Sequence, residues 1–144
     1  MTDSEAESLI ADLKRLVSMD KNLQLPKQGE KGNYPTESSY KSDKFTVFIY
    51  RGSKEMGKIT YHAMDNATNT PLLRLDVNAQ EHTNPDGEKI SGSHLHIFKE
   101  GYEIKYAIEF DIENKDLICL TKQFFLDFHV MDLSEVLLQN DLFS

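Results

Sequence analysis

Apolar residues along this chain recur first at helical spacing, then at strand spacing, then at helical spacing again. In SEAESLIADLKRLVSM, residues 4–19, Leu9, Ile10, Leu13, Leu16 and Val17 share one stripe, and Ser4 with Glu7 has capping-box spacing. The pattern predicts an amphipathic opening helix. Residues 20–43 scatter Pro26, Gly29, Gly32 and Pro35 among polar side chains and predict a long connection with room for a short strand.

Alternation follows. KFTVFIYRG sends Phe45, Val47 and Ile49 to one face, and KITYHAMDN does the same with Ile59, Tyr61 and Ala63. RGSKEMG between them has the length and glycines of a hairpin loop. PLLRLDVNA directs Leu73, Leu75 and Val77 inward and Arg74 and Asp76 outward. SHLHIFKE directs Leu95 and Ile97 inward and His94, His96 and Phe98 outward, and YEIKYAIEF buries Ile104, Tyr106, Ile108 and Phe110. From about Asn114 the period lengthens. Leu117, Leu120, Phe124 and Phe128 mark a helix, widened by Ile118 and Phe125, and DLSEVLLQNDLF predicts a last short helix with Asp132 as its cap. Half-buried, alternating strands argue for an antiparallel sheet with one packed face. The expected architecture is a single α+β domain over residues 1–144. It has an antiparallel sheet of about five strands, with N-terminal and C-terminal helices packed on one face.

Composition narrows the setting. A chain of 144 residues is long enough for a genuine core. No window approaches the roughly 18 apolar residues of a membrane span. MTDSEAESLI lacks the basic-then-apolar order of a signal peptide. The single cysteine, Cys119, sits in the apolar run LICL, reads as a core residue and cannot form an internal disulfide. A cytoplasmic location without a membrane partner is expected. Net charge is −8, and it is unevenly placed. Residues 1–58 carry 10 Lys/Arg against 9 Asp/Glu, whereas residues 59–144 carry 6 against 15. An acidic surface repels nucleic acid and suits basic protein partners.

The chemistry-bearing residues gather between 72 and 105. His94 and His96 are two apart on a strand and share a face, and His82 precedes the Asn84-Pro85-Asp86-Gly87 turn. Three readings fit these residues with Arg74 and Asp76. The imidazoles could ligate a divalent metal, although an H-x-H pair is a weak signal and the sequence itself calls for no cofactor or metal. Two histidines could serve as general base and acid toward a ribose 2′-hydroxyl, with Arg74 or Lys105 stabilising the phosphorane in a metal-independent RNase. Or the group is the solvated side of a one-sided sheet, the preferred reading for His62 and His129. The chain lacks a Gly-rich phosphate loop and a G-x-S-x-G elbow. Phe48, Tyr50 and Phe98 are aromatic positions expected on the outer face, suited to stacking on bases or filling an interface.

The blocks LLRLD, EHTNPDGEKI and SHLHIFKEGY over residues 72–102 resemble a family of small bacterial proteins of unknown function, found largely in prophages and other mobile elements. The order arginine-aspartate strand, histidine, then H-x-H is also similar to small toxins of toxin–antitoxin pairs, some of which act on RNA. That similarity implies His94, His96, His82 and Arg74 as catalytic candidates. The sequence departs from the pattern after EGY, where EIKYAIEF replaces a glycine- and tryptophan-containing continuation. The mobile-element resemblance implies a second role, an anti-CRISPR-like or antitoxin-like inhibitor whose acidic surface occupies a basic nucleic-acid-handling protein. Asp76, Asp86, Glu88, Glu100, Glu103, Glu109, Asp111 and Glu113 are then the binding candidates. On charge, the inhibitor is the favoured expectation and the histidine-dependent RNase the alternative.

Overall fold

A computed structural model describes residues 1–17, 22–52, 57–112, 116–131, 133 and 137–139. The chain opens with α1 (Asp3–Ala11), β1 (Lys14–Leu16) and β2 (Asn22–Gln24). The long strands are β3 (Lys31–Ser38), β4 (Lys44–Arg51), β5 (Ile59–Asp65) and β6 (Thr70–Val77). A small ribbon, β7 (His82–Thr83) with β8 (Lys89–Ile90), precedes β9 (His94–Ile97) and β10 (Ala107–Glu109). Helix α2 (Leu117–Asp127) and β11 (Leu137–Gln139) follow. Seven strands form one sheet in the order β1-β3-β4-β5-β6-β9-β10, and every neighbouring pair is antiparallel.

The alternation of the central strands builds the core directly. Phe45, Val47 and Ile49 are fully buried, beside Ile59, Tyr61, Ala63, Leu73, Leu75 and Val77. Leu117, Leu120, Phe124 and Phe125 of α2 join this same core, as do Ala6, Leu9 and Ile10 of α1. Tyr61 stacks on Phe124 at 5.3 Å between centroids, and Phe45 meets Phe128 edge-on at 5.4 Å. A bulge opposite Ala63 and Met64 shifts the register of β6 and lets Leu72 be buried beside Leu73. Asp116 caps α2, its carboxylate accepting from the Cys119 amide.

Several expectations are corrected. The opening helix stops at Ala11, and its cap is Thr2 rather than Ser4. The Thr2 hydroxyl accepts from the Glu5 amide and donates to the Glu5 carboxylate. Residues 14–16 leave the stripe for the sheet because Lys14 is buried and spends its ammonium on three carbonyls, including that of Phe128. The sheet has seven strands rather than five. One of the additional strands is the eight-residue β3, whose inward positions are Tyr34, Thr36 and Ser38, two of them polar and so silent in a hydrophobic pattern. In β10 the parity is reversed, with Ala107 buried and Ile108 54% exposed. The closing segment expected to be helical contains β11, which pairs in parallel with β2, while Asp132 lies outside the described residues. Cys119 is exposed rather than in the core. No helix among the described residues is long and apolar enough to cross a membrane.

Candidate functional site

On the sheet face away from the core, cross-strand register sets Phe48, His62, Arg74 and His96 in one row over β4, β5, β6 and β9. The adjacent row is Tyr50, Thr60, Asp76 and His94. Both histidines of the H-x-H pair therefore stand at one end of this face. They are not on its wet side, as the alternation suggested, but only 3% and 6% exposed.

The β7–β8 ribbon covers them. Its Asn84–Gly87 turn closes through the Gly87 amide onto the Asn84 carbonyl, and Gly87 adopts φ 91°, which favours glycine. Asn84 is buried and faces β10, where Nδ2 donates to the Ala107 carbonyl at 2.9 Å and Oδ1 accepts from the Ala107 amide at 2.8 Å. That clamp fixes the ribbon and presses His82 against the pair. Ring centroids lie 5.3 Å apart for His82–His94 and 4.8 Å for both His82–His96 and His94–His96. The three imidazoles line a cavity of about 480 Å³, with Lys58, Arg74 and Lys105 at its walls.

Each histidine commits one ring nitrogen to a backbone carbonyl. His82 Nε2 meets Lys105 O at 2.9 Å, His94 Nδ1 meets Gly92 O at 3.0 Å, and His96 Nδ1 meets Ile104 O at 2.6 Å. The second nitrogens of His94 and His96 both face Asp76 Oδ2, at 3.3 Å and 3.1 Å. The other carboxylate oxygen, Oδ1, accepts from Thr60 Oγ1 at 2.9 Å and Arg74 Nε at 3.1 Å. Burial alone would raise the Asp76 carboxyl. The His96 hydrogen bond, the Arg74 guanidinium and the Thr60 hydroxyl outweigh it and hold the group well below the usual carboxylate range.

This arrangement leaves a proton shortage. A neutral imidazole carries one N–H, yet His94 and His96 each point both nitrogens at oxygen acceptors. Two neutral rings thus have two protons for four contacts. Burial pulls His94 below its ordinary value, with the Gly92 carbonyl pulling the other way, so doubly protonating that ring to fill both contacts is disfavoured. A metal cation among these atoms would remove the conflict, because the Nε2 lone pairs of His94 and His96 and the carboxylate would then act as ligands while Nδ1–H donates to the carbonyls. The donors are gathered in one place, at a spacing wider than that of a closed tetrahedral site. One potential ligand atom from each of His82, His94 and His96 lies within 4.8 Å of the others. Tetrahedral bonds of about 2.0–2.1 Å place neighbouring ligand atoms about 3.3 Å apart.

A model for a family of unknown function (DUF6978) matches residues 1–130. The chain belongs to that family. No curated protein and no solved structure matches it.

The match spans the whole histidine pocket and both helices, so every element that builds the site lies within the matched residues. Of the residues proposed for an acidic docking surface, Asp76 is withdrawn by its burial at the pocket's centre. Asp86, Glu88, Glu100, Glu103, Glu109 and Asp111 are exposed, and Glu113 lies outside the described residues. His129 lies away from the pocket, its Nδ1 meeting the Ile10 carbonyl at 3.0 Å. His62 sits edge-on to Phe48 in the middle of the outer face. The Asn84 clamp and the placement of Lys58 carry no mark in the sequence beyond the turn motif itself.

Proposed function

We propose that the pocket is a divalent-metal centre, of the zinc class, that hydrolyses phosphate esters. Its ligands are His82, His94, His96 and Asp76. The observation that carries this reading is the set of three imidazoles, each anchored through one nitrogen to a main-chain carbonyl, with the second nitrogens of His94 and His96 meeting at one carboxylate oxygen. Anchoring of this kind fixes tautomer and orientation in metal-ligating histidines. Lys58, Arg74 and Lys105 on the walls offer cationic contacts to a phosphate, and Glu81 and Glu103 share that lining.

A metal so held would lower the pKa of a bound water to about 7 and polarise the phosphoryl oxygen. Hydrolysis would join the water oxygen to phosphorus and release its proton to solvent. It would break the P–O bond to the leaving alcohol, whose oxygen would take a proton from solvent. Arg74, whose side chain is 40% exposed, offers its remaining N–H groups to the non-bridging oxygens.

Cobalt(II) added to chelator-stripped protein should give the visible absorption of a low-coordinate site at one equivalent, and bis(p-nitrophenyl) phosphate should be hydrolysed only in the loaded form. His94→Ala with His96→Ala should weaken metal binding by at least about 100-fold. Hydrolysis indifferent to EDTA would replace this reading with the metal-independent histidine mechanism. Absence of both metal binding and hydrolysis would remove the catalytic reading altogether.

A second reading keeps the acidic inhibitor and draws on a different place. A groove floored by Ile97, Phe98 and Ile108 is rimmed by Asp3, Glu7, Asp86 and Glu88, which suits a basic nucleic-acid-handling protein. Asp86→Lys with Glu88→Lys should abolish salt-sensitive capture of such a partner. Unchanged capture would sink this alternative.

A further inference from the structure

The geometry points to a single-stranded nucleic acid as the substrate of this centre, with a base stacked on Phe48 and Tyr50. The inference rests on the phosphate-ester reading and adds a subsite to it. The two rings are stacked on each other, with centroids 6.3 Å apart and planes inclined by 25°. Tyr50 is 41% exposed and Phe48 half-buried. Lys31 Nζ stands over both, 5.7 Å from the Phe48 centroid and 5.6 Å from that of Tyr50. The aromatic pair therefore sits on a sheet face beside a cation, the composition of a base-stacking platform with a phosphate contact.

Its position connects it to the pocket. Phe48 and Tyr50 lie on the same two rows as His96 and His94. With strands about 4.8 Å apart, three spacings separate the rings from the histidines by about 14 Å. Sheets that bind single-stranded RNA stack about two or three bases over four strands. A base on the platform thus places a phosphate further along the strand, beyond the adjacent one, over Arg74 and the metal ligands. His62 lies between, on the row that a nucleotide would cross.

The outer face of β3 to β6 does not oppose this path, while Glu81 and Glu103 add negative charge at its pocket end. Among the described residues, the outer face of β3 to β6 carries Lys31, Lys44 and Arg74. Its carboxylates are Glu37, already bridged to Arg15 at 2.7 Å, and Asp76, inside the pocket. Bases in a duplex are stacked on each other and cannot lie flat on these rings, so the surface selects single strands.

Fluorescence anisotropy with a labelled mixed-sequence ten-nucleotide RNA, its DNA counterpart and the matching duplex tests this on chelated full-length protein. Chelation prevents cleavage without altering a ligand. Both single strands should bind and the duplex should bind far more weakly. Tyr50→Ala and Phe48→Ala should each weaken single-strand binding about tenfold or more. Tyr50→Trp should preserve it, a control against misfolding. Equal affinity for duplex, or affinity indifferent to both rings while the metal centre still hydrolyses the small ester, overturns the inference and leaves the centre standing. Ring-dependent binding without metal uptake would uphold the platform and refute the centre.

Discussion

At the scale of single side chains, Lys14 ties three chain segments together away from the pocket. Its Nζ donates to Ile10 O at 2.9 Å, Asp12 O at 2.8 Å and Phe128 O at 2.8 Å, and lies 3.9 Å from the centre of the Phe128 ring. Burial pulls the ammonium down to about 7, with the Asp12 carboxylate pulling the other way. Lys14→Met keeps the volume but strips three carbonyls of their donor. Each buried orphan costs about 1–3 kcal/mol, partly offset by no longer burying a charge, so a net loss of about 2–3 kcal/mol is expected in urea unfolding at pH 7. The pH dependence has a definite sign. Between about 7 and 10.5 the folded state has given up a proton that the unfolded state keeps, so wild-type stability rises with pH across that window. In Lys14→Met that rise should vanish. A variant as stable as wild type at pH 7 would show that the three contacts are dispensable.

At the scale of elements, the ribbon and its clamp decide whether three histidines make a site. Asn84→Ala removes both hydrogen bonds to Ala107 and frees β7–β8 from β10. His94 and His96 stay on β9, whereas His82 loses its fixed place. Cobalt affinity should fall about 10–100-fold, the range for lost supporting contacts, while urea unfolding changes little beyond the two bonds. Unaltered affinity would mean that the ribbon does not position His82. This clamp also marks how far periodicity reaches. Alternation in β4, β5 and β6 was legible because large apolar and polar residues strictly exchange places, and it correctly set His94 beside His96 on one face. It could not show that a ribbon closes over them, since burial by a distant loop leaves no trace in local spacing. β3 was hidden by polar inward positions, and β10 by Ala107, which lies inward against the Asn84 clamp while bulkier Ile108 faces out. Lys14 broke the opening helix through a contact with Phe128, 114 positions away.

At the scale of the molecule, the net charge of −8 conceals a segregation. The exposed carboxylates Asp86, Glu88, Glu100, Glu109 and Asp111 lie beyond β9 and on the ribbon, while Glu103 joins Glu81 in the pocket lining. The outer face of β3 to β6 is free of that excess. A whole-chain total therefore argued against nucleic acid more strongly than the relevant surface does. Two consequences can be measured on chelated protein with the same labelled single strand. If Lys31, Arg74 and Lys105 meet three phosphates, the logarithm of affinity should fall with the logarithm of salt concentration with a slope of about −2. Reversing distant charge, as in Glu100→Lys with Asp111→Lys, should raise the association rate at low salt through the long-range field, and this gain should fade as salt is added. The cobalt spectrum should not change, because neither residue touches the ligands. A slope near zero would exclude phosphate contacts as the source of binding. A gain that persists at high salt would mean that the new lysines bind the strand themselves, which would move the track off the aromatic face.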